Sequence, residues 1–419
     1  MKRVFQFVLL ILLPVFSLSA VDIGVMLDQS SGVDIYGTNF DKLKDDIVYS
    51  AKLAPWLTVP LGLSGGNFGK FYFSAALTAN YEGTKWTFVP ELMRTEILYQ
   101  TEGGLELSAG RINYSDPLGF IASGLFDGAH VSLHLGRLGT FSAGVWYTGL
   151  LYKGTTEICL TKEDDNINSA EFSYTNFSDT YFASRRLVAS LDWENPAITE
   201  SFGLNIALLG QADLNGNEDR LHTQYLAAKT SISVGSFAFS LGGALGLSEF
   251  FTGSDSDDAK DTINVSLAGE LAIGWMLPTS IQDQLTLIGR FSSGTLSDDS
   301  TIVAFFPITR QTQGSILQAK LSGLSVIQLD YTARLHKSFS INLAGSYFIL
   351  SDLGTYSGYA GKKDGYFLGS EFSGRLIWAP ASDLIISLGG GAFLPSLGNS
   401  DNEQDVKWKL ELSASLMVF

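Results

Sequence analysis

The chain is poor in the residues a soluble enzyme needs. Four histidines and one cysteine serve 419 residues. The lone Cys159 cannot close an internal disulfide and reads as a loop bystander. His130 and His134 share a strand face, but four residues at about 3.3 Å each put them roughly 13 Å apart, too far to share a metal or a proton. His222 and His336 stand alone. No metal-ligand cluster occurs. We therefore expect no catalysis, no metal and no cofactor.

Charge is scarce as well. Asp, Glu, Lys and Arg make up 17% of the chain, against about 25% in ordinary soluble domains. The net charge of −16 argues against nucleic acid, which requires a basic footprint. After the N-terminus there is no run of 18 apolar residues, so no membrane-spanning helix is expected. Proline is also sparse, 10 residues against 44 glycines.

What is present begins with MKRVFQFVLLILLPVFSLSA. Lys2 and Arg3 precede an apolar stretch from Val8 to Phe16 and a small-residue end at Ser17 to Ala20. This reads as a secretory signal over residues 1–20, leaving 21–419 as one unit. The opposite end, residues 404–419, alternates. Val406, Trp408, Leu410, Leu412, Ala414, Leu416 and Val418 fall on one face, with Lys407, Lys409, Glu411, Ser413 and Ser415 on the other. A period of 2 this long excludes an amphipathic helix. The strand resembles the last strand of a transmembrane β-barrel, although its apolar parity is offset by one from the terminal Phe419.

The pattern repeats back along the chain. Alternating segments fall near 382–394, 365–379, 338–350, 324–335, 281–295, 261–277, 235–249, 221–232, 199–212, 182–193, 139–153, 126–136, 104–113, 85–101, 68–81 and 47–62. A short segment at 21–29 can close the ring. Tight turns are expected at Gly136-Arg-Leu-Gly139, Asn195-Pro-Ala197, Val234-Gly-Ser236, His336-Lys337 and Ala379-Pro-Ala-Ser382. Loops 154–181, 213–220, 250–260 and 350–364 lie at the other end. The reading is all-β: an antiparallel transmembrane barrel of 16–18 strands, with 18 favoured, in the outer membrane of a Gram-negative-type envelope. A soluble sandwich would alternate too, but this many hairpins would need several domains, and no linkers are seen.

A barrel this wide keeps an aqueous lumen, so the inward set is the functional set. Parity turns Lys52, Lys70, Arg94, Arg186, Lys229, Arg290, Arg334, Arg375, Lys407 and Lys409 inward, with Glu96, Asp192, Glu270, Asp330, Glu371 and Glu411. Bases exceed acids in this set. The excess acid falls in turns and loops, as at Glu163 to Asp165 and Asp298-Asp299. A basic lumen favours anionic solutes where its charges converge; where they only pair with neighbours, they keep the pore wet. The Asp-rich run Ser254 to Asp258 reads as a solvated loop rather than a Ca²⁺ site.

The stretch RINYSDPLGFIASGLFDG, 111–128, is broken by Pro117, Gly119, Gly124 and Gly128 and is too apolar for a free loop. It is expected to fold inward and narrow the pore, or else to pack on its neighbours. Arg111 shares the parity of Leu105, Leu107 and Ala109. Either a bulge turns it inward or it lies above the lipid.

The run GLELSAGRINYSDPLGFIASGLFDGAHVSL, preceded by RTEILYQ, resembles a segment of alginate-export-type porins, within the general outer-membrane porins. There a strand ends in Gly-Arg and the next opens with Phe-Asp-Gly. SEFSGRLIWAPASDLIISLGGGAFLPS is similar to that family's penultimate hairpin. The resemblance implies 18 strands, a basic lumen passing anionic polysaccharide or small solutes, and Arg111, Asp127 and Gly128 as pore-loop positions. The expected partners are outer-membrane lipid and a small hydrophilic solute or saccharide. Two alternatives remain. A fatty-acid-transporter-like barrel would need an N-terminal plug, for which only residues 30–46 are available. A surface adhesin would use loop 154–181.

Overall fold

The computed structural model describes residues 21–36, 47–62, 66–83, 85–216, 220–251, 262–295, 301–352, 365–399 and 405–419. Twenty strands follow in order: β1 (Asp22–Tyr36), β2 (Ile47–Leu61), β3 (Phe68–Glu82), β4 (Lys85–Gln100), β5 (Leu105–Ser115), β6 (Ser123–His134), β7 (Thr140–Tyr147), β8 (Arg186–Thr199), β9 (Phe202–Asp213), β10 (Arg220–Val234), β11 (Phe237–Phe251), β12 (Thr262–Met276), β13 (Gln284–Ser292), β14 (Thr312–Gln313), β15 (Ala319–Lys320), β16 (Leu324–His336), β17 (Phe339–Leu350), β18 (Phe367–Ala381), β19 (Leu384–Leu394) and β20 (Lys407–Val418). Eighteen of them form one antiparallel sheet in which each pairs with its neighbours around a ring. β13 passes directly to β16, and β20 closes on β1 with Val25 opposite Val418 and Tyr36 opposite Lys407. β14 and β15 form a separate hairpin. Closure pairs the strands around the whole ring, which is what a bilayer demands.

The alternation in the sequence becomes an inside and an outside. Leu191, Leu208, Leu241, Leu271, Leu329, Leu388 and Leu410 all lie outward and exposed. Such a surface is stable only against lipid. Aromatic belts frame it. Trp86 meets Tyr49 and Tyr81 at the long-loop end. Phe237 stacks on Trp275, and Phe339 on Trp378, at the short-turn end.

Three expectations change. β1 runs to Tyr36 rather than stopping near 29, because Ser30 to Ile35 keep the alternation and pair with β20 as far as Trp408. The turns placed at Asn195-Pro-Ala197 and Ala379-Pro-Ala-Ser382 lie further on, at residues 200–201 and 382–383. Pro196 and Pro380 sit within β8 and β18, where the register shifts between Asn195 and Thr199 and between Trp378 and Ala381. A residue without an N–H is tolerated at such an irregularity. The signal segment 1–20, the Asp-rich run 254–258 and Asp298-Asp299 lie outside the described residues.

The largest apolar core lies inside the barrel. Ile121 from the β5–β6 loop, Ile158 and Leu160 from the β7–β8 loop, and Phe305, Ile308 and Leu321 from the β13–β16 loop bury themselves against Val188, Leu209, Leu221 and Tyr225 of the inner wall. Burying side chains of this size is worth about 1.5–3 kcal/mol each. One side of the lumen is therefore filled by loops.

Candidate functional site

Each of the three inward loops is pinned by one carboxylate. In the β5–β6 loop, Asp116 accepts from the backbone N–H groups of Leu118, Gly119, Ile121 and Ala122 at 2.8–3.0 Å. Burial pushes its carboxyl above the usual range, against those four donors. The loop so shaped crosses the lumen until Leu118 lies against Gly242 of β11, where a Cβ would stand 2.3 Å from the Leu118 methyl. Segment 111–128 thus turns inward.

The β7–β8 loop carries the short helices α1 (Lys153–Thr156), α2 (Lys162–Ser169) and α3 (Phe177–Tyr181). Thr161 and Asp164 make a capping box at the start of α2, which satisfies two otherwise unpaired N–H groups. Asp164 also accepts from Arg186 Nη2 at 2.6 Å, and Arg186 meets Asp213 on its other side. All three side chains are buried.

In the β13–β16 loop, Glu371 of β18 is the pin. It accepts from Ser315 N (2.7 Å), Ser315 Oγ (2.9 Å), Ile316 N (3.1 Å) and Leu317 N (2.9 Å). The β14–β15 hairpin is held against the inner face of β18 and β19, and Ile316 fits over Gly391, where a Cβ would come within 2.9 Å of its Cδ1.

Beside this hairpin the lumen opens into a polar cavity of about 670 Å³ between β13 and β20, lined in part by Thr312, Gly314, Ser315 and Ile316. Arg290, Asp330, Arg375, Lys409 and Glu411 line it, with Gln328, Thr332, Asn342 and Ser373. Two charge groups stand at it, each with two cations around one carboxylate. Glu270 lies 2.7 Å from Arg290 Nε and 3.4 Å from Lys229 Nζ. Glu411 lies 3.9 Å from Arg375 and 3.6 Å from Lys409. Arg375 lies over Gly389, where a Cβ would stand 3.3 Å from the Arg375 Nε. Asp330 accepts from the Gln328 amide.

The sequence-derived set divides accordingly. Arg290, Arg375, Lys409, Asp330 and Glu411 come together around the cavity, and Lys229 and Glu270 adjoin it. Arg94 and Glu96 face inward on β4 as an ion pair, with Arg94 5.2 Å over the Tyr72 ring. Asp192 accepts from Tyr114 of the inward hairpin. Glu371 lines the cavity, with its carboxylate occupied by backbone donors. Two residues are corrected. Arg186 is not pore-lining: it is wholly buried between two aspartates and anchors the β7–β8 loop. Arg334 donates to Lys337 O at the turn rim, because the register shifts between Ala333 and His336. The basic excess of the inward set does not survive either. Arg186 and Arg334 leave it, while Asp28, opposite Lys52, and Glu91 join it.

Arg111, Asp127 and Gly128 mark the root of the inward hairpin, not its tip. Arg111 pairs with Asp127 through two 2.8 Å contacts and also donates to Leu92 O and Leu150 O. A side chain at Gly128 would lie 2.0 Å from Val145 O. Cys159 lies in the β7–β8 loop with Sγ 3.6 Å from Pro307 O. Burial pushes its thiol up to about 12. Phe419 follows the inward parity and meets Trp56 edge-on at 5.9 Å, which accounts for the offset of the last strand.

Sequence reasoning missed Asp116, Asp164 and Asp213. The signal available was the apolar inner face of β9 and β10, where Leu208-Leu209 and Tyr225-Leu226 are apolar on both faces and call for cover inside.

No protein-family model matches the chain, and no curated protein matches it in sequence. Solved structures match it in fold. OccK5 (OpdH) of Pseudomonas aeruginosa superposes with a TM-score of 0.59 at 12% identity, over 96% of this chain and 99% of that one. OccK2 (OpdF) of the same organism, solved in complex with glucuronate, gives 0.58 at 10% identity, over 96% and 99%. The outer membrane protein OprD from the same organism gives 0.56 at 12% identity, over 95% and 94%. These comparisons do not support the alginate-export likeness. At such identities the shared property is the architecture, and the chain has the closed 18-stranded barrel of these proteins.

Proposed function

We propose that this chain is an outer-membrane channel for passive diffusion of small hydrophilic solutes, with a preference for small organic anions. The observation that carries the reading is the pair of charge groups at the polar cavity, one built on Glu411 in its lining and one on Glu270 beside it. Each holds two cations to one carboxylate, so each keeps donors for a solute carboxylate. Asp330, Asn342 and Gln328 between them offer partners to hydroxyl groups. The match to a barrel solved with glucuronate, a sugar carboxylate, supports the same class. Neither an enzyme nor an adhesin is favoured by any contact, and residues 30–36, part of the stretch a fatty-acid-transporter plug would need, are committed to β1.

The test is the refolded protein in a planar bilayer under a salt gradient. Steady conductance with a reversal potential on the anion side is expected. A cation-selective current would overturn the anion preference, and absence of current from a heat-modifiable, folded barrel would overturn the channel.

A further inference from the structure

The barrel wall is not a continuous ladder up to its long-loop end. The β4–β5 pairing runs from Gln100 opposite Glu106 to Thr95 opposite Arg111 and stops. β4 continues to Lys85, still paired with β3. On the far side, β6 meets β7 only from Asp127 opposite Tyr147 downward. The tip of the β5–β6 hairpin has left the wall for the lumen. The upper edge of β4, residues 85–94, therefore faces the β7–β8 loop instead of a strand.

Side chains close this seam. Tyr174 Oη donates to Phe88 O at 2.6 Å, and Thr155 Oγ1 to Glu91 at 3.1 Å. Lys85 meets Glu171 at 2.9 Å, with both side chains exposed, and Arg111 Nη1 caps Leu92 O at 2.5 Å. Pro90, midway along the edge, has no N–H to leave open.

The depth of the seam decides what can use it. Trp86, with Tyr49 and Tyr81, marks the long-loop aromatic belt. Phe88 to Arg94 run below it, roughly 20 Å of strand at about 3.3 Å per residue, and Phe88 and Leu92 face outward. This stretch is at hydrocarbon level, where an uncapped carbonyl costs several kcal/mol. That cost explains the Tyr174 and Arg111 caps. Behind the seam lies the apolar side of the lumen, with Ile112, Phe126, Trp146 and Leu151. A water-soluble partner does not reach this depth. An alkyl chain of the outer leaflet does reach it.

We propose that the β7–β8 loop is a lateral door, and that the seam between it and β4 admits the alkyl chain of a single-chain amphiphile from the outer leaflet into the apolar side of the lumen. This route is separate from the axial passage of small solutes.

The experiment uses the full chain carrying Cys159→Ser, Lys85→Cys and Glu171→Cys in lipid vesicles, with and without a short bis-maleimide cross-link. A fluorescent single-chain fatty acid reports transfer from the outer leaflet, and single-channel conductance reports the axial path. The cross-link is expected to reduce protein-dependent fatty-acid transfer to the protein-free background and leave conductance unchanged. Tyr174→Ala in the otherwise natural chain is expected to speed transfer. Transfer that persists at full rate in the cross-linked barrel overturns the proposal. So does a cross-link that stops transfer and conductance together, or an uncross-linked barrel that transfers nothing above background.

Discussion

Glu371→Gln is the sharpest perturbation of the pore. The carboxylate holds four donors of the β14–β15 hairpin, three of them backbone N–H groups. A glutamine amide can face only one pair of them with its oxygen. Its NH₂ then meets the other pair, donor against donor, and the remaining bonds lose their charge. Hydrogen bonds to a charged group are worth about 1.5–3 kcal/mol and neutral ones about 0.5–1.5, and an orphaned buried donor costs about 1–3. The hairpin should lose on the order of 3 kcal/mol of docking energy, roughly a hundredfold in its docked population. The barrel itself should survive, since Glu371 serves only the hairpin. What remains to hold the hairpin includes the Arg290–Gln313 bond at 2.9 Å, the Lys320–Asp165 ion pair at 2.6 Å and the burial of Leu317 and Ala319 against Phe348 and Phe393. Single-channel recording should show a larger and noisier conductance, because the segment withdrawn lies in the lumen. A variant with wild-type conductance and wild-type open-channel noise would refute the reasoning.

Four further predictions follow from the same contacts. Arg375→Ala with Lys409→Ala leaves Glu411 unbalanced in the cavity, and the reversal potential in a salt gradient should move toward cation preference; an unmoved potential would place selectivity elsewhere. Arg186→Met strands Asp164 and Asp213 as buried charges, a loss of about 3–5 kcal/mol, and trypsin should then cut the β7–β8 loop at Lys153 or Lys162 in a barrel that still resists SDS. Cys159, with its thiol pushed up to about 12, should react slowly with maleimide at neutral pH, and more slowly still once Arg310→Ala and Lys320→Ala remove the two cations that favour its thiolate. The hydrogen bond from Lys85 holds Glu171 below the usual carboxylate range, so this tie across the seam is present above the ordinary Glu pKa and is lost as pH falls through the depressed value; the protection of amides in residues 171–177, relative to their intrinsic exchange rate at each pH, should fall on acidification and on adding salt.

The wall was legible because lipid imposes a period of 2 on one face, and nothing competes with it over eighteen strands. Leu410 and Leu412 announce the outside as clearly as Lys409 and Glu411 announce the inside. Turn positions slipped where a proline was read as punctuation: Pro196 and Pro380 sit in strands, at register shifts that ask for no N–H. Parity also says nothing of height along the strand. Arg186, Arg334 and Arg375 share the inward parity of their strands, yet one is sealed under a loop, one sits at the turn rim and one faces the cavity. Height depends on which loops fold in, and that is decided by contacts more than a hundred residues apart, such as Ser123 N with Thr309 Oγ1.

The same contacts explain why counting charges misjudged the lumen. An inward carboxylate can serve solvent, a neighbouring cation or an inward loop, and only the first two contribute to the field a solute meets. Asp116, Asp164 and Glu371 belong mainly to the third kind: their oxygens are taken up by backbone N–H groups or a buried guanidinium. A loop folded into a lumen brings N–H groups that no ladder satisfies, and each must find an acceptor. A carboxylate serves three or four of them at once, as Asp116 and Glu371 do. Acid on the inner wall is thus partly a requirement of narrowing the pore, and within the Arg290 and Arg375 groups cations outnumber the remaining acid two to one, with Asp330 standing outside them. The test of that division is selectivity itself. Replacing Asp330, which holds no loop, by Asn should raise anion preference, whereas Glu371→Gln should alter conductance more than selectivity. Equal shifts in reversal potential from the two would mean that the loop pins also act on the permeating ion.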